Sequence, residues 1–132
     1  MIKLAIVMPP DPGLPLTLLK QCGVKYAVGG ISLNPIPDAG EEEQPWSYTS
    51  LAKAKAAYEK NGITLSVIES RPPMEKIKLA LPGRDEEIDV VCKLLRNMGK
   101  AGIPVWCSMW MPILGVMRTS RTIPTRGGAH VS

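Results

Sequence analysis

The chain has 132 residues, enough for one domain with a modest core, and its 45% hydrophobic and 21% charged residues are typical of globular proteins. A net charge of +4 would suit a nucleic-acid binder, but the basic residues alternate with apolar ones at helical spacing, which favours solvated helix faces. No apolar run is long enough for a membrane span or a signal peptide.

The chain has three widely spaced cysteines and a single histidine, His130. This pattern argues against a zinc module, which needs clustered ligands, and against a scaffold built from paired disulfides. We therefore expect reduced thiols in a cytoplasmic protein.

Four short apolar runs predict β-strands at residues 2–8, 24–28, 63–68 and 103–109. Each run is largely apolar and is interrupted only by single polar residues such as Lys3, Lys25 and Ser66. Such runs are typical of strands covered on both faces, as in a parallel sheet between layers of helices. After the fourth run the chain is rich in Pro, Gly, Ser, Thr and Arg, and no further element is predicted.

Three helices are predicted between these strands. The first has Pro15 in its first turn and ends at Gly23, the second is capped by Ser47, and the third is capped by Asp85. The apolar face predicted for the first helix is Leu16, Leu19 and Cys22. The inward stripe predicted for the second is Tyr48, Leu51, Lys55 and Tyr58, and for the third Ile88, Val91, Cys92, Leu95 and Met98.

The resulting order βαβαβαβ occurs in open doubly wound sheets and in closed (β/α) barrels. The first strand-to-helix turn, PPDPGLP, lacks the glycine pattern that binds dinucleotide phosphates. Dinucleotide binding is therefore a less favoured function for this chain. In both architectures ligands bind at the carboxyl ends of the strands. Those ends are predicted at Met8-Pro9, Gly29-Gly30, Glu69-Ser70 and Met109-Trp110.

Glu69 is the best single candidate at these ends, because its carboxylate could accept hydrogen bonds from a sugar. An ion pair with Arg71 or a turn cap is an equally open interpretation. Arg118 lies with Arg121 and Arg126 in the final loop, where a guanidinium could bind a sugar-acid carboxylate or remain solvated. Trp110 is a candidate for stacking on a sugar, although a packing role alongside Trp106 is the commoner one. No group of residues with the spacing of a metal site is visible.

Several segments in order give the chain a family resemblance. They are Trp46, VIES (67–70), IKLALPGRD (77–85), RNMGKAGIPV (96–105), WMP (110–112) and the Arg-Thr at 118–119. In this order and spacing the chain resembles the mannonate dehydratases. The resemblance implies a barrel related to the xylose-isomerase-like enzymes, which converts D-mannonate to 2-dehydro-3-deoxy-D-gluconate with Mn²⁺ or Fe²⁺ in cytoplasmic hexuronate catabolism. It further implies Glu69 and Arg118 as substrate contacts, and Trp110 is added to them because of its position at the strand end. The family's metal ligands lie in the second half of the barrel, so none is assigned here and the catalytic residues are unknown.

Residues 1–132 are therefore expected to form the N-terminal half of a (β/α)8 barrel, with about four of eight strands. Such a half is expected to be inactive alone as a lyase. Alternatives are a catalytically silent sugar-binding or self-associating half-barrel, and another sugar isomerase or epimerase on the same barrel. No nucleic-acid or membrane partner is expected. The expected partners are a sugar-acid substrate and either a second copy of the chain or a missing C-terminal half.

Overall fold

The computed structural model describes residues 2–112, 115 and 118–131. Its strands are β1 (Ala5–Val7), β2 (Tyr26–Gly29), β3 (Thr64–Glu69), β4 (Val105–Cys107), β5 (Ile123–Pro124) and β6 (His130–Val131). Its α-helices are α1 (Leu14–Gln21), α2 (Tyr48–Lys60), α3 (Glu75–Lys78) and α4 (Arg84–Ala101). Single 3-10 turns lie at Glu41–Glu43 and Arg126–Gly128.

The first four strands form one parallel sheet in the order β1-β2-β3-β4. Because this order never reverses and crossovers are right-handed, the connecting helices lie on the same face. A doubly wound sheet would instead reverse its strand order and carry helices on both faces. The topology therefore matches part of a barrel, as the resemblance implies.

The core lies between the sheet and helices α2 and α4. Its fully buried side chains include Leu51 on α2, Leu65 and Ile68 on β3, and Leu94 on α4. A register shift between β2 and β3 places an extra residue on β3. Leu65 and Ile68, three residues apart, are both fully buried because this bulge interrupts the usual alternation of faces.

Gly29 at the end of β2 allows α2 to pack closely. A Cβ atom at this position would lie 2.7 Å from Cδ1 of Leu65 and 3.0 Å from the hydroxyl oxygen of Tyr58. No side chain larger than hydrogen fits here without moving these two groups. This close packing brings Tyr58 to the carboxyl ends of β1 and β2.

The sheet face away from the helices is not covered. The strand register aligns Val7, Val28, Val67 and Val105 across the four strands, and we call this set the valine row. Val7 and Val105 are exposed, and the other two are half-buried. The expectation of burial on both faces is therefore wrong for the edge strands β1 and β4, which lack a neighbouring strand on one side within the described residues.

Helix α4 is rotated from the prediction. Its buried residues are Leu94, Met98 and Ala101, of which Met98 was predicted, whereas Ile88 and Leu95 of the predicted stripe are exposed. The Asn97 side chain donates a 3.0 Å hydrogen bond to the carbonyl of Trp46, which fixes this rotation. The cap is also different: the helix begins after Gly83, in a left-handed conformation, and Asp85 lies inside the first turn with Glu86 and Glu87.

Other local predictions have mixed outcomes. Ser47 caps α2 as predicted, because its hydroxyl accepts a 3.1 Å hydrogen bond from the Ser50 amide. Tyr48 is exposed and does not belong to the inward stripe. Helix α3 lies in the connection 69–84, and β5 and β6 form an antiparallel pair where no element was predicted.

Candidate functional site

A cavity of about 300 Å³ opens at the carboxyl ends of β3 and β4. It is lined by Glu69, Ser70, Arg71, Cys107, Ser108 and Met109. Glu69 and Cys107 are register partners in the sheet, so their side chains leave the same face. The predicted position of Glu69 at a strand end is confirmed, and its role as a substrate contact remains a prediction.

Ser70 fixes the end of β3 to both neighbouring connections. Its hydroxyl donates a hydrogen bond to the carbonyl of Ile31, in the loop after β2. Its carbonyl accepts a 2.7 Å hydrogen bond from the indole nitrogen of Trp106 on β4. The strand end that carries Glu69 is therefore held from two sides, as a preorganised site requires.

Arg71 is the residue of this cavity that sequence reasoning misjudged. Its guanidinium donates a 2.9 Å hydrogen bond to the carbonyl of Met109 and lies 3.4 Å from the carboxylate of Glu75. It makes no ion pair with Glu69, and in the part of the chain that the structure describes the Glu69 carboxylate has no ion-pair partner. Glu69 is thus free to accept hydrogen bonds from a ligand.

The loop after β4 is tied to residues 71–78, which end in helix α3, by two cations. Arg71 binds the carbonyl of Met109, and the buried Lys78 ammonium donates a 3.1 Å hydrogen bond to the carbonyl of Met111. Trp110 lies between these two anchored residues, and its side chain is exposed. It lies beyond β4, which ends at Cys107, so it does not share a strand face with Trp106 as predicted. Its proposed sugar contact is not tested by this placement.

A second cavity, of about 450 Å³, lies at the ends of β1 and β2. Its lining is mostly apolar and includes Met8, Pro9, Gly30 and Tyr58. The Tyr58 hydroxyl donates a 2.8 Å hydrogen bond to the carbonyl of Met8. Burial raises the pKa of Tyr58, and the nearby carboxylate of Asp11 raises it further. With its phenol neutral and already bonded, this cavity offers few groups for a charged ligand.

Arg118 lies in neither of these cavities. Together with Arg121, His130 and Val131 it lines a separate cavity of about 270 Å³. Among the described residues its lining has the guanidinium groups of Arg118 and Arg121 and no carboxylate, so it suits an anion. The structure therefore does not place Arg118 with Glu69 in one cavity.

The described residues, 2–112, 115 and 118–131, contain no group of three His, Cys, Asp or Glu side chains that could hold a metal ion. All three cysteines are free thiols. No helix within the same ranges is long and apolar enough to cross a membrane.

Comparison with known proteins agrees with the motifs noted in the sequence. The family model described as D-mannonate dehydratase (UxuA) matches residues 8–132. A mannonate dehydratase from Thermotoga maritima is 39% identical over 97 residues, which are 74% of this chain and 25% of that protein. One from Oceanobacillus iheyensis is 36% identical over 109 residues, or 80% of this chain and 30% of that protein.

The fold agrees with a solved structure of the same family. The crystal structure of mannonate dehydratase from Streptococcus suis serotype 2 superposes with a TM-score of 0.79 at 28% sequence identity, covering 98% of this chain and 36% of that chain. The chain thus spans between a quarter and about a third of the length of these relatives. With nearly its whole length matched by the family model, the chain belongs to the mannonate dehydratase family.

Proposed function

We propose that this chain supplies the first-half substrate-binding surface of a hydro-lyase that converts D-mannonate to 2-dehydro-3-deoxy-D-gluconate. The observation that supports it most is the cavity at the ends of β3 and β4, in a chain matched by the family model over residues 8–132. The setting proposed is cytoplasmic hexuronate catabolism.

In this proposal the Glu69 carboxylate accepts hydrogen bonds from substrate hydroxyls, and the exposed indole of Trp110 covers the apolar side of the sugar. The candidate for binding the substrate carboxylate is Arg118, through its guanidinium, although it lines a cavity separate from that of Glu69. Dehydration of a sugar acid also needs a base for the proton beside the carboxylate and an acid for the leaving hydroxyl. No described residue is assigned to these two steps.

The family's divalent ion, Mn²⁺ or Fe²⁺, does not fit the described residues, because no three candidate ligands come together in them. We propose that its ligands belong to the part of the relatives that this chain does not match. No step is therefore assigned to a metal held by this chain.

Titration with D-mannonate is expected to shift the amide NMR resonances of Ser70, Arg71 and Ser108 in the isotopically labelled chain. D-Mannitol, which lacks the carboxylate, serves as the ligand control. Glu69→Gln should weaken D-mannonate binding by roughly tenfold or more, since a hydrogen bond to a charged group contributes about 1.5–3 kcal/mol. The matched control is Glu59→Gln, on the exposed side of α2. Equal binding by the two variants, or no shifts at the three amides, would refute the Glu69 assignment.

The Arg118 assignment fails if Arg118→Gln leaves the preference for D-mannonate over D-mannitol unchanged.

The isolated 132-residue chain is expected to release no 2-keto acid from D-mannonate, even with added Mn²⁺. The reason is that the proposed base, acid and metal ligands are not among its described residues. A colorimetric 2-keto-acid assay, with the Streptococcus suis enzyme as positive control, measures this directly. Clear turnover by the pure chain would show that it carries a complete catalytic site.

A further inference from the structure

Lys78 is a lysine whose side chain is completely buried away from the apolar core. Its side chain is 0% exposed, whereas that of Lys76, two residues earlier on α3, is 46% exposed. The Lys78 ammonium lies 3.2 Å from the Glu75 carboxylate and donates a 3.1 Å hydrogen bond to the carbonyl of Met111. Among the described residues, the apolar core includes none from α3. Because a lysine is almost never fully buried unless it is paired, these two polar contacts account for the burial.

Arg71 is a second cation that reaches the same loop and contacts the same carboxylate. It donates a 2.9 Å hydrogen bond to the carbonyl of Met109 and lies 3.4 Å from Oε1 of Glu75, the oxygen that Lys78 also contacts. One carboxylate oxygen therefore joins two cations, and each cation holds one backbone carbonyl of the loop after β4. We call Arg71, Glu75 and Lys78 the loop clamp.

The loop clamp is itself fixed to the body of the fold at both of its ends. Arg71 directly follows Ser70, which is hydrogen-bonded to the loop after β2 and to Trp106 on β4. At the other end, the Ile77 amide donates a 3.1 Å hydrogen bond to the Glu87 carboxylate of α4. The position of the loop after β4 therefore depends on both β3 and α4 through the clamp.

The two anchored carbonyls lie on either side of Trp110 in the chain. The Met109 carbonyl belongs to the planar peptide group that joins Met109 to Trp110, and the Met111 carbonyl belongs to the group that follows Met111. Fixing both groups restricts the backbone of Trp110 from each side. A buried ion pair adds little to stability, because desolvation of the charges offsets their attraction. The conformation of the loop therefore explains the clamp better than the stability of the fold does.

We infer that Lys78 is a positioning residue, which with Arg71 and Glu75 holds Trp110 in a preorganised conformation next to the cavity residue Met109. Met109 lines the cavity at the ends of β3 and β4, and Lys78 is not among the described lining residues. Lys78 therefore acts on a ligand only through the loop. A loop that is ordered before binding loses less conformational entropy when the ligand binds, which increases affinity. The inference rests on the proposed function for the identity of the ligand, D-mannonate, whereas the order of the loop does not depend on it.

The first measurement needs no ligand and compares the parent chain with Lys78→Met, which replaces the cation with an apolar side chain of similar length. This variant leaves no buried charge unpaired, because the Glu75 side chain is 45% exposed and keeps Arg71 as a partner. We expect ¹⁵N relaxation at the amides of residues 109–111 to show larger motions on the picosecond-to-nanosecond timescale in Lys78→Met. Lys76→Met, on the same helix, is the matched control and should leave these amides unchanged.

The second measurement is the affinity for D-mannonate, obtained by NMR titration of the same variants. Lys78→Met should weaken binding roughly twofold to tenfold, the range expected when one large side chain must be ordered on binding. In a Trp110→Ala background, Lys78→Met should cause no further loss, because the side chain that the clamp positions is then absent. A merely structural role of Lys78 would leave its effect the same in both backgrounds.

Circular dichroism identifies any variant that fails to fold. If Lys78→Met is one, Arg71→Gln removes the other anchor and is expected to increase the motion of the Met109 amide in the same relaxation measurement. Unchanged relaxation at residues 109–111 in a folded Lys78→Met overturns the inference. So does a loosened loop with unchanged affinity, or an effect of Lys78→Met that persists in full in the Trp110→Ala background. If the parent chain binds no D-mannonate, the proposed function fails, and the relaxation data alone decide whether the clamp holds the loop.

Discussion

Replacing Leu94 with alanine is expected to lower the free energy of unfolding by about 2–5 kcal/mol, as deletion of a large buried side chain does. Leu94 is 0% exposed and belongs to the core between α4 and the sheet. Its neighbour Leu95 is 46% exposed, so Leu95→Ala should change the same quantity by no more than about 0.5 kcal/mol. Two adjacent leucines of one helix thus differ severalfold in their expected effect.

Urea denaturation followed by circular dichroism measures both variants under the same conditions. The pair tests the rotation of α4, because the hydrophobic spacing of the sequence predicted the reverse assignment, with Leu95 in the buried stripe. Equal losses, or a larger loss for Leu95→Ala, would mean that the spacing gave the right face. Both variants replace leucine with alanine in the same helix, so the change in helix propensity is the same in each and does not affect the comparison.

The rotation of α4 could not be predicted because the helix has two apolar arcs. One contains Val90, Leu94 and Met98, and the other contains Ile88 and Leu95. Periodicity identifies both arcs and cannot rank them. The choice depends on long-range contacts, chiefly the hydrogen bond from Asn97 to the Trp46 carbonyl, 51 residues away in sequence.

Features that depend on neighbours in the chain were predictable. The Ser47 cap follows from the local chemistry of helix N-termini. Helix α3 was missed because much of its support is nonlocal. The Glu87 carboxylate accepts a 3.1 Å hydrogen bond from the Ile77 amide, and the Lys78 ammonium binds the carbonyl of Met111.

In the candidate site, too, one residue could be located from local sequence and another could be placed only from the fold. Glu69 was located by the rule that ligands meet the carboxyl ends of parallel strands, which needs only the strand boundaries. An ion pair of Arg71 with Glu69 was one of the open interpretations because the two are close in sequence, whereas the partners of Arg71 are Glu75 and the carbonyl of Met109. A guanidinium that reaches across a loop could have been recognised only from the fold.

Replacing Tyr58 with phenylalanine is expected to lower the free energy of unfolding by about 1–3 kcal/mol at neutral pH. The hydroxyl is buried and donates to the Met8 carbonyl at 2.8 Å, so its loss leaves that acceptor without its side-chain partner. Tyr48→Phe is the matched control, because Tyr48 lies on the same helix with its side chain exposed. Urea denaturation should show a loss for the first variant and almost none for the second.

The same residue predicts how stability changes at alkaline pH. Burial first, and the Asp11 carboxylate second, raise the pKa of Tyr58 above the value near 10 of an exposed tyrosine. Above pH 10 the unfolded chain therefore releases this proton while the folded chain retains it, so the free energy of unfolding falls until the pH reaches the folded-state pKa. Below pH 10 the contribution is fully present. Because Tyr58→Phe has no such proton, the destabilisation that it causes should shrink between about pH 9 and about pH 11. A constant difference between the parent chain and Tyr58→Phe across that range would mean that the phenol is not held in its neutral form by the fold.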